Sequence, residues 1–317
     1  MFDLSEHVYD AAMPVVGSPS FDQIQIFLAV VDEGSFAAAA RKMNRAVSAI
    51  SYAISKLEAQ LGLVLFDRQG SRKPVLTHES QAILADARLI GADVQELRAR
   101  ALGLQSGLEA EVSLALDVMI PLDRVAGLLR EFQETYPTVN LRLHVEALGG
   151  VAALLLDGRA QLGFSGPAVV EHPELERADA GSLLLVPVAS PDHPLARDPE
   201  LSSGAARSHL QLVLTDRSRL TEGRDFTVAS PRTWRLADLG AKLELLRKGI
   251  GWGNMPLGMV EGDLAAGTLV RLKMAIGGAY RLTALWRRDN PPGPATTWLL
   301  ESLLERLSRE HRGKRPR

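Results

Sequence analysis

Apolar residues recur at helical spacing over residues 21–62, in three short segments separated by helix-stop signals. Gly34 ends the first segment, and Ser35 caps the second, an Ala-rich stretch over residues 36–43. The third segment places four apolar residues on one face: Ile50, Ile54, Leu57 and Leu61. The pattern predicts three packed helices, of which the third ends at Gly62.

Beyond residue 111 the apolar runs become shorter and alternate between strand and helix patterns. Strands are predicted at residues 112–116, 139–145, 160–166, 183–189, 210–214, 226–230 and 281–288. Helices are predicted at residues 121–136, 149–158, 234–249 and 294–309. This alternation is typical of α/β folds, in which ligands bind beyond the strand ends. A division near residues 187–199 predicts two lobes with a cleft between them.

A long helical stretch, capped by Thr77, connects these two regions over residues 78–107. Its apolar residues form a heptad seam: Ile83, Ile90, Val94, Leu97, Ala101 and Leu104. An exposed seam needs a partner, and a second copy of the chain is the economical one. The alternative is that the seam packs against its own domain.

The third helix carries small polar side chains and one aromatic opposite its apolar face: Ser48, Ser51, Tyr52 and Ser55. Residues 37–78 hold seven basic and two acidic residues, a difference of +5, and residues 67–77 predict a hairpin with Gly70 in its turn. A helix with small polar side chains in a basic region fits the major groove of DNA, and a basic hairpin can contact the DNA phosphates. We therefore expect the polar stripe to approach base edges, with phosphate contacts from Arg45, Arg68, Arg72 and Lys73. The alternative is a solvated face of a small helical domain.

Composition narrows the function classes. The chain has 317 residues, a net charge of −2 and no cysteine, so any nucleic-acid surface must be a local patch. Disulfides, thiolate zinc sites and cysteine nucleophiles are excluded. No apolar run reaches the ~20 residues of a membrane span, and the N-terminus lacks the pattern of a signal peptide. We expect a cytoplasmic protein without a membrane partner.

The sequence lacks the common catalytic motifs. Its seven histidines show no H-x-x-H or H-E-x-x-H spacing, and neither a P-loop nor a G-x-S-x-G motif occurs. Gly249, Gly251 and Gly253 follow a predicted helix, so we interpret them as a helix-to-strand turn. We expect no catalytic residues, no metal and no cofactor. The alternatives are a two-lobed enzyme and a solute-binding protein.

The segment over residues 27–68 resembles the winged helix-turn-helix of LysR-type transcriptional regulators. The resemblance rests on GSFAAAA at the second helix, AIS and LE in the third, and LGLVLFDR at the entry to the hairpin. Later stretches resemble the effector domain of that family: REFQETYPTVNLRL, LLLDGRAQLGF, SPDHPLA and LLRKGIGWGNMP. The resemblance covers residues 21 to about 307.

The resemblance implies an α/β protein with an N-terminal winged helix-turn-helix, a long linker helix and a two-lobed effector domain like that of periplasmic binding proteins. We expect a flexible extension at residues 1–20, the DNA-binding domain at 21–77, the linker helix at 78–107, the effector domain at 110–310 and a basic tail at 311–317. Lobe 1 is expected at about 110–187 and 286–310, and lobe 2 at about 188–285.

The implied function is sequence-specific control of transcription in response to a small-molecule effector bound between the lobes. The partners implied are an operator in double-stranded DNA and a second copy of the chain, which dimerises through the linker helix. Regulators of this type are commonly homotetramers, built as dimers of dimers, and RNA polymerase is a further candidate partner.

The recognition helix departs from the family pattern. Tyr52 and Ala53 stand where Arg and Gln are common, so no base preference is carried over from the family. Ala46 stands where a capping serine is usual, so we expect Asn44 or Ser48 to supply the cap.

The resemblance also points to an effector site in the loops between the lobes. Its candidate residues are Asp117, Gly149, Gly150, Gly166, Thr215, Arg217, Arg235 and Trp252. Many relatives carry Ser or Thr near Asp117, whereas an acid there repels a carboxylate unless an arginine offsets it. The candidates for that offset are Arg217, Arg219 and Arg235. We therefore expect the effector not to be a simple monocarboxylate. The alternative is that Asp117 caps the helix beginning near Leu122.

Overall fold

A computed structural model describes residues 17–67, 74–166, 171–198, 204–224 and 226–313. These residues form two compact units, one ending at Ala101 and the other beginning at Leu102. Most of the predicted N-terminal extension, residues 1–16, and the last four residues of the basic tail lie outside the described ranges. No helix within those ranges is both long and apolar enough to span a membrane.

The first unit begins with three short helices, α1 (Phe21–Glu33), α2 (Phe36–Lys42) and α3 (Val47–Leu61). Gly34 and Gly62 adopt the left-handed conformation that ends α1 and α3, and the Ser35 hydroxyl caps α2. The three apolar faces meet in one core: Ile26, Phe27, Val30, Ala39, Ala40, Ile50, Ile54 and Leu57. The predicted helix triad is therefore confirmed.

The start of α3 differs from the sequence expectation. Ala46 occupies the cap position and no side chain caps the helix, so the prediction that Asn44 or Ser48 supplies a cap is wrong. Asn44 instead adopts a φ of 52°. Asparagine tolerates this left-handed region better than most residues, so Asn44 serves the tight turn between α2 and α3.

Two short strands, β1 (Phe66–Asp67) and β2 (Val75–Leu76), pair antiparallel and form the base of the predicted hairpin. Helix α4 (His78–Gln105) follows them and ends two residues before the predicted position 107. As expected, Thr77 caps α4, because its Oγ1 accepts the N–H of Ser80 at 3.1 Å.

The second unit alternates strands and helices. Its strands are β3 (Glu111–Asp117), β4 (Asn140–Glu146), β5 (Leu162–Ser165), β6 (Leu175–Ala189), β7 (Gln211–Leu214), β8 (Thr233–Leu236), β9 (Trp252–Pro256), β10 (Val270–Arg271) and β11 (Gly278–Arg287). Its helices are α5 (Leu122–Thr135), α6 (Gly150–Leu156), α7 (Pro194–Arg197), α8 (Leu239–Arg247), α9 (Leu257–Ala266) and α10 (Pro294–Gly313). Short 3-10 turns occur at Ala205–Ser208 and Arg219–Thr221.

One sheet connects these strands in the order β4-β3-β5-β11-β6-β9-β7-β8, with β10 paired to β6. Its two ends are parallel: β3 pairs with β4 and β5, and β7 pairs with β8 and β9. Between them, β6 and β11 form a long antiparallel pair, the crossing strands. Strand β6 reaches β9 at Leu185, and β11 reaches β5 at Thr283. We propose that the lobes join along the crossing strands, near the predicted boundaries.

Residues 226–230 do not form the predicted strand. The Gln211 side chain binds their backbone instead: its Oε1 accepts the N–H groups of Ala229 and Ser230, at 2.8 and 3.0 Å, and its Nε2 donates to the Thr227 carbonyl at 2.8 Å. Thr227 also has a φ of 58°, which is incompatible with an extended strand. Hydrogen bonds to the Gln211 side chain thus take the place of the strand-to-strand hydrogen bonds that the pattern predicted.

Residues 234–249 are not one helix either. Trp234 lies in β8, which extends the sheet beside β7. Helix α8 begins only after Asp238, whose carboxylate accepts the N–H of Ala241 at 2.6 Å. The cap therefore shortens the predicted helix at its N-terminus.

The Glu109 carboxylate connects the start of the second unit to its last helix. It accepts the N–H groups of Ala295 and Thr296, at 3.0 Å each. These amides belong to the first turn of α10, where a negative charge is stabilising. Helix α10 packs along β6 and buries Leu299 and Leu303 in the main core.

Candidate functional sites

The polar face of α3 is exposed as the sequence predicts. Ser48, Tyr52 and Ser55 lie at the surface and Ser51 is half-buried. Tyr52 is 71% exposed, so its ring does not pack against the described residues as a core side chain would. Because Ile50, Ile54 and Leu57 fill the opposite side of the helix, the 3.6-residue period sets these polar groups toward solvent.

The basic residues around this face divide into paired and unpaired ones. Arg45 makes a two-bond ion pair with Asp22, at 2.7 and 2.8 Å, and this contact raises the pKa of the guanidinium. Lys42 is paired with Glu33 at 2.7 Å. Arg41 and Lys56 are exposed and have no ion pair with any described residue. The expectation that Arg45 is free for a phosphate therefore needs the Asp22 pair to open.

The hairpin is held against the recognition helix at its base. The Glu58 carboxylate on α3 accepts the N–H of Leu65 at 2.8 Å, and the Thr77 hydroxyl donates to the Val64 carbonyl at 2.7 Å. These bonds fix where the hairpin leaves α3. The predicted phosphate ligands Arg68, Arg72 and Lys73, and the turn residue Gly70, lie outside the described residues.

Asp117 is fully buried at the end of β3 and joins three loops. Its carboxylate accepts the N–H groups of Met119, Leu148 and Gly166, at 2.9, 3.2 and 3.1 Å. Burial raises its pKa to about 6, although the three amides oppose that shift. The alternative that Asp117 caps the next helix is wrong, because α5 starts after Pro121 without a side-chain cap.

The three predicted glycines allow close contacts around these loops. A Cβ on Gly166 would lie 2.7 Å from a carboxylate oxygen of Asp117, and one on Gly150 would lie 3.1 Å from the Cβ of Glu146. A Cβ on Gly149 would lie 2.6 Å from the Ser218 hydroxyl. Gly149 therefore brings the loop that follows β4 against the loop that follows β7.

A basin of about 460 Å³ lies beside this contact and contains three predicted residues, Thr215, Arg217 and Arg235. Its wall also contains Arg219, which the sequence pointed to as an offset for Asp117, and three charged residues that it did not: Asp216, Glu222 and Arg224. The Arg224 guanidinium lies 5.2 Å from the ring centre of Phe226, which also lines the basin. With four arginines against two acids, the basin suits an anion.

Trp252 was predicted to face the effector and does not. Its side chain is fully buried in a small apolar cluster with Ala189, Leu195, Ala206 and Leu272. Strand β9 instead directs Asn254 toward a second, enclosed cavity, which Lys242 of α8 also lines. Burial lowers the pKa of Lys242 to about 7. The available signal was a lysine in helical phase with the buried Leu239 and Leu246.

Two sequence families match this chain. Residues 21–81 match the bacterial regulatory helix-turn-helix proteins of the lysR family, and residues 105–308 match the LysR substrate binding domain. Two curated relatives come from Escherichia coli K12. The uncharacterized HTH-type transcriptional regulator YeeY is 28% identical over 90% of this chain and 93% of its own. The probable HTH-type transcriptional regulator YhaJ is 29% identical over 90% and 95%.

A solved structure shares the fold. The Corynebacterium glutamicum OxyR C206 mutant is 19% identical and covers 94% of both chains with a TM-score of 0.51. The matched families and relatives are transcriptional regulators rather than enzymes or solute-binding proteins. With a helix-turn-helix that exposes a polar recognition face and a substrate-binding domain that follows it, the chain belongs to the LysR family of DNA-binding transcriptional regulators.

Proposed function

We propose that this regulator reads DNA through the polar face of α3 and grips phosphates with the basic residues around it. The observation that carries the proposal is the exposure of Ser48, Tyr52 and Ser55 along one side of a helix whose other side is core. Selection of duplexes from a random library by the full-length protein tests it. Enrichment of one sequence over competitor supports the proposal, and the absence of any preference at low salt contradicts it.

Tyr52→Ala should change which sequences are selected. The exposed ring and hydroxyl lie where a recognition helix contacts base edges, and one such contact discriminates bases by about 1–3 kcal/mol. We expect the preference at one or two positions of the selected sequence to flatten about tenfold or more. Tyr52→Phe is the control that keeps the ring. An unchanged selection profile in Tyr52→Ala would show that the ring takes no part in readout.

Lys56→Ala should weaken binding to every sequence alike. Lys56 lies one turn after Tyr52 and has no ion pair among the described residues, so its ammonium is available for a phosphate. Losing one phosphate contact reduces the slope of log affinity against log salt by about 1. Lys42→Ala is the matched control, because Glu33 already pairs with Lys42. Equal slopes for the two variants would remove Lys56 from the interface.

We further propose that the effector occupies the basin between the lobes, in contact with Thr215, Arg217 and Arg235. The convergence of these side chains beside Leu148, at the end of a loop from the first lobe, supports the placement. Asp117 supports the loops and lines neither this basin nor the enclosed cavity. Its charge is therefore a weaker objection to an acidic effector than the sequence suggested.

The proposed assembly is a dimer joined through α4. Ile83 and Ala87 pack on the helix triad, so the first part of the seam lies against its own domain. From Ile90 onward the seam is largely exposed, and Leu97 and Leu104 lie at the surface. An apolar stripe of this kind favours a second copy. The tetramer stays a prediction, and DNA binding makes the cytoplasm the proposed location.

A further inference from the structure

Lys242 is a buried lysine without a counter-ion among the residues that the structure describes. Its side chain is 3% exposed, and its ammonium donates to the backbone carbonyl of Asn254 at 2.7 Å. No carboxylate within the described residues pairs with it, and burial is the cause that lowers its pKa. An ammonium has three donors, so two remain for another group.

The fold makes room for this lysine. A Cβ on Gly253 would lie 2.9 Å from the Lys242 Cε and 2.7 Å from the Leu212 carbonyl oxygen. The missing side chain at Gly253 therefore lets the stem of the lysine lie over β9. Burying a charge is costly unless a partner compensates it, so this arrangement calls for an acceptor.

The side-chain amide of Asn254, next to Lys242, also lacks hydrogen-bond partners among the described residues. The residue is 5% exposed, and both its Oδ1 and Nδ2 atoms are buried without a hydrogen-bond partner in the described part of the chain. Buried amides are nearly always hydrogen-bonded in folded proteins. The Nδ2 atom therefore needs a hydrogen-bond acceptor, as the Lys242 ammonium does.

Lys242 and Asn254 line one enclosed cavity. Its volume is about 20 Å³, room for about one oxygen-sized group. The other walls are largely apolar and include Met119 and Leu148 from the first lobe. The cavity shares Leu148, Val213, Leu214 and Phe226 with the arginine-lined basin, so the two spaces adjoin at these residues.

We infer that Lys242 and Asn254 anchor one carboxylate oxygen of a dicarboxylate effector. This oxygen occupies the cavity, where it accepts from the Lys242 ammonium and from the Asn254 amide nitrogen, and the rest of the molecule lies in the basin. The second carboxylate lies among the arginines of the basin. This inference rests on the proposed function, since it assigns a ligand class to the same cleft.

Titration calorimetry of the full-length protein with L-malate, L-aspartate and 2-hydroxyglutarate tests the inference, with the diamide of malic acid as a neutral control. We expect at least one acid to bind and the diamide not to bind. Lys242→Met should weaken that binding at least 30-fold. Lys248→Met is the matched control, because Lys248 is an exposed lysine at the end of the same helix. If no acid binds, or Lys242→Met binds equally well, the cavity holds a buried water only and the inference is wrong.

Asn254→Asp separates ligand binding from folding. The change keeps the shape of the side chain and places a carboxylate in the cavity that Lys242 lines. We expect an unchanged or higher Tm together with the loss of acid binding, and a folded Asn254→Asp that binds like the wild type overturns the inference. Binding of both variants to the selected DNA, without any acid, is measured in parallel. Failure of acid binding alone leaves the DNA-reading proposal standing, whereas the wild type lacking sequence preference would sink that proposal instead.

Discussion

Replacing Asp117 with alanine should lower the free energy of unfolding of the effector domain by about 3 kcal/mol at pH 7. Three buried amides lose their acceptor, at a cost of about 2 kcal/mol each. Removing a buried carboxylate offsets about 3 kcal/mol of that loss, because the raised pKa of Asp117 measures what its charge costs in the folded state. The cost of the three unsatisfied amides therefore exceeds the gain from removing the carboxylate, and the variant is destabilised.

Denaturant unfolding followed by tryptophan fluorescence measures this effect. All four tryptophans, Trp234, Trp252, Trp286 and Trp298, lie in the second unit, so the signal reports the effector domain. Asp238→Ala is the matched control, since it removes a single helix cap worth about 1 kcal/mol. A loss for Asp117→Ala no larger than this control would show that Asp117 does not hold the three loops.

The difference in unfolding free energy between the wild type and Asp117→Ala should depend on pH. The pKa of Asp117 rises from 3.8 to about 6 on folding, so the folded state keeps a proton that the unfolded chain has released. The wild type therefore loses this contribution to stability as the pH rises from about 4 to about 6. The difference in unfolding free energy between wild type and Asp117→Ala should grow as the pH falls through that window. A constant difference would contradict the raised pKa.

Leu97→Asp should dissociate the dimer and weaken DNA binding by about 100-fold or more. Each copy loses the burial of a leucine, about 2 kcal/mol, and gains a charge, and a twofold interface counts the change twice. Leu102→Asp is the matched control. The two leucines are 65% and 66% exposed, but five residues apart on α4, so they face different directions.

Sedimentation velocity of both variants measures the outcome. We expect Leu97→Asp to sediment as a monomer and Leu102→Asp to stay dimeric. A dimeric Leu97→Asp would show that the seam is not the interface. Monomers of both variants would point to a broader apolar contact than the heptad pattern predicts.

Local signals in the sequence were sufficient for the DNA-binding unit. The glycine stops, the Ser35 cap and the apolar period of α3 act within a few residues, so the pattern predicted both the helices and the exposed face. The side-chain cap predicted for α3 does not form, because the turn there depends on the backbone conformation of Asn44 rather than on a side-chain bond.

The proposed effector site was predictable only in part, because its contacts join residues far apart in the chain. Thr215, Arg217 and Arg235 come together because β7 and β8 are parallel neighbours, which a strand-end argument anticipates. Trp252 shares a face of β9 with Asn254, but tertiary contacts with Ala189, Leu195 and Leu272 enclose its ring away from the cavity. The bonds from Gln211 to residues 227–230 depend on tertiary structure, so an apolar run resembling a strand did not form one.

The Glu109 carboxylate connects the start of the effector domain, close to the end of α4, to the first turn of α10. Helix α10 packs on the crossing strand β6, so a shift of that strand would displace the first turn of α10 and, through two hydrogen bonds, Glu109. A displacement of β6 would thus reach Glu109, which lies four residues beyond Gln105, the last residue of α4.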